Sequence, residues 1–291
     1  MTEAAPQQVR NEIWLPRPHV VKRVRRESVD TVTLFLHPRD ENEADEVRYL
    51  PGQFNMLYLF GHGEAPVSVS GVSRRTGYVR HTVKGVGPLT RALTRLNPGD
   101  LVGLRGPYGN GWPMSDLRGK NLLLVAGGIG MAPILSVLRA VTRHTQRYGR
   151  IDLIYGSRTP ADILFRRQLS RWHAKGRVNV HLTVDQADET WDGPVGFVTT
   201  PLSRLTETGR QVDASNTIVL LCGPEVMMRH CFSQLASAGI APGNIHVSME
   251  RSMRCAFGVC GHCQWGADFL CKNGPVFSAE AIGARLLIRE L

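Results

Sequence analysis

The sequence predicts a β + α/β protein. An antiparallel β-barrel comes first, a parallel α/β nucleotide-binding domain second, and a small cysteine-bearing segment last. Three observations predict it. From Arg17 to about Gly106 short β-type runs are separated by turn signals. From Gly119 to about Met249 apolar strands alternate with helical stretches, and Gly-rich turns follow the strands. Near the C-terminus, four of the six cysteines fall within 17 residues as C-x4-C-x2-C-x7-C. The expected boundaries are an arm over 1–16, the barrel over 17–115, the nucleotide domain over 116–250, and the cysteine segment with its tail over 251–291. A chain of 291 residues comfortably holds two cores and an appendage.

In the barrel, the strand candidates are His19–Val24, Thr31–His37, Phe54–Phe60, Val67–Val72, Tyr78–Val83 and Leu101–Arg105, with one short helix over Pro88–Leu96. Asn97-Pro-Gly-Asp100 is a turn, because Pro fixes φ and Gly permits a positive one. Two stretches carry chemistry. Ala65-Pro66-Val67-Ser68-Val69-Ser70 could offer Ser68 and its backbone to the polar edge of a planar ring, although Ser alternating with Val is also ordinary strand surface. Val83-Lys84-Gly-Val-Gly87-Pro88-Leu89-Thr90 runs from a strand through a Gly-containing turn into a helix. Exposed N–H groups at such a helix start suit a diphosphate; a plain capped turn is the competing reading.

In the second domain, Asn121–Ala126 is a continuous apolar strand, as in sheets covered on both faces. Gly127-Gly128-Ile129-Gly130 follows, and then a helix from Pro133 to about His144. Strand, Gly-rich turn and helix let backbone approach a pyrophosphate. Ile151–Tyr155, Asn179–Val184, Thr217–Leu221 and Ile245–Met249 are the further strands, with helices around Ala161–His173 and Glu225–Ala238. Gly127–Gly130, Gly156-Ser157-Arg158 and Cys222-Gly223-Pro224 all fall at strand C-termini, where ligands bind in such sheets. Arg158 could meet a ribose or a 2′-phosphate, or be a solvated loop arginine. Cys222 could sit beside a nicotinamide or be a small buried thiol. Cys231 reads as core, and Asp185 as a loop acid without a role.

The cysteine spacing favours a [2Fe–2S] cluster in the last segment over zinc or free thiols. Cys255, Cys260 and Cys263 reproduce the plant-type [2Fe–2S] pattern C-x4-C-x2-C, which a further cysteine completes. Cys271 does so after a shorter gap than plant-type ferredoxins have. Gly258 and Gly261 give the loop the freedom to bring sulfurs together. A zinc ribbon would need two C-x2–4-C knuckles, and only one exists. The C-x2-C-x2-C run typical of [4Fe–4S] clusters is missing, and a disulfide framework would call for an export signal.

Composition narrows the remaining classes. The formal charge of +10 comes mostly from scattered arginines without a nucleic-acid-binding motif. Pyrophosphate cofactors and acidic protein partners explain it as well. Apolar runs such as Leu122–Ala126 are too short to span a bilayer. Residues 1–12 carry Glu3 and Glu12 and no apolar h-region, so they do not read as a signal peptide. The expectation is a cytoplasmic chain that binds neither nucleic acid nor membrane.

In this order, the motifs resemble the ferredoxin–NADP reductase superfamily. More narrowly they resemble the gamma (diaphorase) subunit of cytoplasmic NAD(P)-linked nickel–iron hydrogenases. The dihydroorotate dehydrogenase electron-transfer subunit and the anaerobic sulfite reductase B subunit are near relatives. The pieces that carry the resemblance are Ser248–Cys263, Leu270–Phe277, Glu64–Ser70 and Ala126–Pro133. In this branch the short gap to Cys271 is normal. The resemblance implies FAD, NAD(P)H and a [2Fe–2S] cluster as cofactors, and as partners an iron–sulfur electron-transfer subunit and nickel–iron hydrogenase core subunits. It implies that Pro66, Val67, Ser68, Val69 and Ser70 line the flavin, with Ser68 near N5. Val83, Lys84, Gly87, Leu89 and Thr90 would hold its diphosphate. Gly127, Gly128, Ile129, Gly130, Ala132, Pro133, Ser157, Arg158, Cys222, Gly223 and Pro224 would hold the nicotinamide nucleotide, with Ser68 and Cys222 at the reacting centre. Ala65 and Val67 stand where the wider superfamily has an arginine and a tyrosine. Hydride chemistry needs no general acid or base, which fits a chain without a catalytic dyad. Val247–Met253 is expected to lead past the flavin to the cluster loop.

Overall fold

A computed structural model describes residues 14–40, 48–73, 76–207 and 212–288. Most of the N-terminal arm, and the stretch on which the signal-peptide reading rests, lie outside the described residues.

Six antiparallel strands close a barrel: β1 (Arg17–Arg26), β2 (Thr31–Pro38), β3 (Phe54–Leu59), β4 (Gly63–Ser73), β5 (Tyr78–Lys84) and β6 (Leu101–Tyr108), in the order β1-β2-β5-β4-β3-β6. Closure removes the edges that an open six-stranded sheet would expose. The inward residues are those the alternation selects: Val21, Leu34, Leu36, Leu57, Val69, Val79, Val83 and Val102. Asn97–Asp100 forms the expected turn, with the Asn97 N–H donating to Asp100 Oδ2 at 2.7 Å and Gly99 at φ +102°. The helix α1 (Pro88–Leu93) is shorter than its apolar pattern suggests, and Arg95 and Leu96 continue as turns.

The second sheet has six strands: β7 (Asn121–Gly127), β8 (Ile151–Ser157), β9 (Asn179–Val184), β10 (Thr217–Cys222), β11 (Ile245–Ser248) and, after a short hairpin of β12 (Gln264–Trp265) and β13 (Asp268–Phe269), β14 (Val276–Ser278). Its order is β14-β11-β10-β7-β8-β9, parallel except for β14, which pairs antiparallel with β11. The helices α2 (Met131–Val141), α3 (Arg166–Ala174), α4 (Thr199–Glu207) and α5 (Glu225–Ser237) cover the sheet. In the cysteine segment α6 (Leu270–Asn273) carries Cys271, and α7 (Ala279–Leu286) returns to the sheet. The chain after Cys271 is thus woven back into the nucleotide-binding sheet. Elements β14 and α4 were not foreseen. The first is only three residues long; the second is short, polar and begins Thr-Thr-Pro, the Pro sitting in the first turn where it needs no N–H donor.

Among the described residues no helix is long and apolar enough to cross a membrane.

Candidate active site and cluster loop

The three Gly-containing loops predicted at strand C-termini meet in one cleft of about 1080 Å³. Gly127–Gly130, Gly156–Arg158 and Gly223–Pro224 line it, and Ser28, Asp30, Thr31 and Lys84 of the barrel face them. Room on this scale exceeds what a drug-sized ligand fills, and the cleft has one wall on each domain. Small residues are required where the loops cross. A Cβ on Gly130 would lie 2.6 Å from Cys222 C and 2.7 Å from Gly223 N. The cleft is a cradle that side chains would fill, and it fits an extended dinucleotide whose pyrophosphate meets backbone N–H groups.

Other predicted residues stand elsewhere. Ala132 and Pro133 are buried in the first turn of α2 and pack inward. Cys222 is 1% exposed and lies in the core behind the cleft wall. Burial pushes its thiol pKa well up, reinforced by Glu250 and partly opposed by a hydrogen bond with Ser248. Its carbonyl and carbon, rather than its sulfur, meet the Gly130 position.

On β4, the strand expected to line the flavin, the side chains divide. Val69 and Val83 are barrel core, and Val67 and Leu89 pack against it. The Ser70 hydroxyl donates to Arg80 O at 3.1 Å and accepts from Thr82, while its carbonyl accepts from Arg139 Nη1 at 2.7 Å. Ser70 is therefore engaged on both groups and has no hydroxyl to spare for a ring. Pro66 and Ser68 remain as half-buried side chains on that strand. The Ser68 carbonyl is held by buried His81, whose Nδ1 lies 3.1 Å away, and whose Nε2 lies 3.0 Å from Asn55 Nδ2. Burial keeps His81 neutral, with a pKa lowered to about 4.

At the turn expected to hold the diphosphate, the Thr90 hydroxyl accepts from the N–H groups of Val86 (3.0 Å) and Gly87 (2.8 Å). Thr90 thus closes its own turn instead of presenting a hydroxyl outward. Lys84 does reach the cleft, 3.4 Å from Asp30.

Sequence reasoning missed several residues that line the cleft, chiefly Met249, Glu250, Arg251 and Asp185. Glu250 lies two residues past the end of β11, so the rule that ligands gather at strand C-termini should have flagged it. Its side chain opens into the cleft while the surrounding protein raises its carboxyl pKa by desolvation. Asp185 follows β9 in the same way; desolvation raises its pKa and Arg158 opposes the rise.

The cysteines divide into two pairs. Cys263 Sγ and Cys271 Sγ are 3.2 Å apart, and Cys255 is in side-chain contact with Cys260. Among the described residues no three His, Cys, Asp or Glu side chains converge on a single-ion site. Two thiol pairs suit a diiron cluster, with two thiolates on each iron, better than one tetrahedral zinc. At Cys255 the loop favours a thiolate. Burial would raise the Cys255 pKa, but N–H groups of Cys260, Val259 and Phe257 bring it down to about 6. Burial and the facing Cys263 push Cys271 up to about 12; two thiolates that close repel until cations lie between them. Gly258 and Gly261 adopt φ +83° and +71°, as the spacing requires, and Ala256 shares the left-handed region at +70°.

The loop lies against the barrel. Phe54 on β3 pairs directly with Ser68 on β4, and belongs to one apolar cluster with Met253, Ala256, Cys263, Trp265 and Cys271. The chain leaves β11 through Met249, Glu250 and Arg251, which line the cleft, and reaches Met253 in the same apolar cluster.

Comparison with known proteins agrees with this geometry. Residues 124–232 match the oxidoreductase NAD-binding domain, and residues 250–283 match the iron–sulfur cluster binding domain of dihydroorotate dehydrogenase B. Sulfhydrogenase 2 subunit gamma of Pyrococcus furiosus is 38% identical over 266 residues, covering 85% of this chain and 90% of that one. A probable dihydroorotate dehydrogenase B electron transfer subunit from the same organism is 34% identical, covering 82% and 83%. Among solved structures, that of an NADH-dependent reduced ferredoxin-NADP oxidoreductase superposes with a TM-score of 0.74 at 25% identity, covering 94% of each chain. The chain is a flavin-dependent NAD(P)H oxidoreductase subunit with FAD and an iron–sulfur cluster as its cofactors, and it belongs to the family of sulfhydrogenase gamma and dihydroorotate dehydrogenase electron-transfer subunits, within the ferredoxin–NADP reductase fold.

Proposed function

We propose that this chain links NAD(P)H to the one-electron carriers of a cytoplasmic nickel–iron hydrogenase, through an iron–sulfur partner subunit. The observation that carries the reading is the order of stations in space. The nucleotide loops face the barrel across one cleft, and the cluster loop shares an apolar cluster with Phe54, the cross-strand neighbour of Ser68, and is bonded to Arg105 of the barrel. FAD, when bound, supplies the exchange between two-electron hydride chemistry and single electrons. The chain's task is placement. Gly127–Gly130, Gly156–Arg158 and Gly223–Pro224 would hold the nicotinamide nucleotide, Pro66, Ser68 and Lys84 the flavin, and the four cysteines the [2Fe–2S] cluster.

The hydrogenase partner is favoured by the higher identity to the sulfhydrogenase gamma subunit. The test is anaerobic purification of the tagged chain from its own cells. Recovery with stoichiometric nickel and with H2-dependent reduction of NAD(P)+ is the expected result. Recovery with a dihydroorotate-oxidising flavoprotein and no nickel would transfer the chain to the pyrimidine-synthesis branch.

A further inference from the structure

The strongest unassigned group in the molecule is a buried arginine on the barrel, Arg105 of β6, which is 4% exposed. A guanidinium cannot shed its charge, so burying one is costly unless every N–H finds an acceptor. Here every nitrogen has acceptors. Nε donates to Glu64 Oε2 at 3.0 Å, and Nη2 donates to Glu64 Oε1 at 2.6 Å, which is the parallel two-bond geometry of a strong carboxylate pair. Of the remaining three bonds, two leave the barrel for the cluster loop and one stays on β6. Nη2 donates to Arg254 O at 3.0 Å, and Nη1 donates to Cys255 O at 3.1 Å and to Tyr108 Oη at 3.3 Å. The two carbonyls belong to the first cluster cysteine and to the residue before it.

We infer that Arg105, fixed by Glu64, is the positioning residue that docks the cluster loop onto the flavin barrel and sets the electrostatic environment of the cluster. The inference rests on the electron-transfer reading above. Three features of the chain support it. First, Glu64 opens the strand segment that continues through Pro66 to Ser68, so one ion pair ties the flavin strand, β6 and the cluster loop together. Second, turning the carbonyls of residues 254 and 255 toward Arg105 matches a loop whose N–H groups at Val259 and Cys260 point to Cys255 Sγ, at 3.4 and 3.5 Å. Third, a permanent cation beside the backbone of a ligand cysteine favours the more negative, reduced form of a cluster, because net charge and hydrogen bonding set the potentials of such centres. A second clamp leaves the rest of the segment attached when the first is cut. Asn110 N donates to Gly274 O at 2.7 Å, and Asn110 Nδ2 donates to Val276 O at 2.7 Å.

The test uses the purified holoprotein and three variants: Arg105→Met, Arg105→Lys and Glu64→Gln. Three quantities are read: iron, sulfide and flavin content; the cluster midpoint potential by EPR-monitored titration, with the flavin potential as internal reference; and amide hydrogen exchange over residues 254–260. For Arg105→Met, exchange in 254–260 is expected to rise by about tenfold or more, the scale of losing charged hydrogen bonds. Its cluster potential should shift negative while the flavin potential holds. Arg105→Lys should restore most of the potential but not the slow exchange, because the charge returns without the fork. Glu64→Gln keeps the arginine and should affect exchange more than potential. If wild-type protein holds flavin and cluster, and Arg105→Met changes neither exchange nor potential, the inference is wrong. If Arg105→Met fails to fold, Arg105→Lys and Glu64→Gln decide, and exchange over residues 254–260 as slow as in wild type in both overturns the inference equally. Wild-type protein without flavin or cluster would instead overturn the electron-transfer reading itself.

Discussion

Replacing Gly130 by alanine drives a methyl group into the backbone of the facing loop. Gly130 has φ −58° and ψ −12°, a conformation any residue adopts, so strain is not the issue. Space is. The new Cβ would meet Cys222 O most closely and would lie 2.6 Å from Cys222 C and 2.7 Å from Gly223 N, against 3.4 Å for ordinary contact, so the two loops must part by about 1 Å. Backbone cannot yield by changing rotamer, and overpacking of this kind costs about 1–3 kcal/mol. If opening the cleft absorbs that cost, NAD(P)H binding weakens by roughly 5- to 150-fold, at about 1.4 kcal/mol per tenfold. Gly128 in the same turn is the control. It sits at φ +54° with nothing within 4 Å of a Cβ, so alanine there carries only left-handed strain, about 1–2 kcal/mol. Nucleotide titrations and melting curves of both variants separate the two. Gly130→Ala should lose affinity more than Gly128→Ala does. Unchanged affinity and unchanged melting in Gly130→Ala would refute the crossing-loop geometry.

Two further perturbations follow from the buried groups. His81 is held neutral, with its pKa lowered to about 4 from an ordinary 6.5. Between those values the unfolded chain binds a proton that the folded one does not, so stability falls as pH drops from 6.5 toward 4. At 1.36 kcal/mol per unit the loss is roughly 3 kcal/mol. Denaturant midpoints from pH 7.5 to 4.5 should show this slope in wild type and its loss in His81→Gln; parallel profiles would count against it. Cysteine substitutions should separate cluster from core. Cys271→Ser is expected to lose iron and sulfide, whereas Cys231→Ser, in the core of α5, should keep both and melt lower by the equivalent of about 1–3 kcal/mol for a buried hydroxyl. Metal analysis beside melting curves reads both.

The barrel, the parallel sheet and the cluster loop were legible because each rests on local periodicity or spacing. Runs rich in Val, Leu and Phe marked the barrel strands, although Val69 and Val83, assigned to the cofactor, are barrel core, and C-x4-C-x2-C-x7-C picked out four cysteines that do come together in pairs. What escaped is what depends on partners far along the chain. Ser70 reads as a free hydroxyl until Arg80, Thr82 and Arg139 arrive from other elements. Thr90 is the local exception, since its capping of Val86 and Gly87 follows from a spacing that was read as ligand binding. Arg105 looks like one of many scattered arginines, and only the fold brings Glu64 and residues 254–255 to it, 41 and about 150 positions away. Strand β14 pairs with β11 across the whole cluster loop, and three residues carry too little pattern to announce it.

The most direct single measurement is an anaerobic visible spectrum of the purified chain, with iron, acid-labile sulfide, zinc and flavin assays, before and after addition of NADH and of NADPH. The expected result is FAD together with iron and sulfide in equal amounts, and a flavin-plus-[2Fe–2S] spectrum that bleaches with nucleotide. Zinc in the cysteine loop, no flavin, and a spectrum indifferent to either nucleotide would contradict the electron-transfer function at its root.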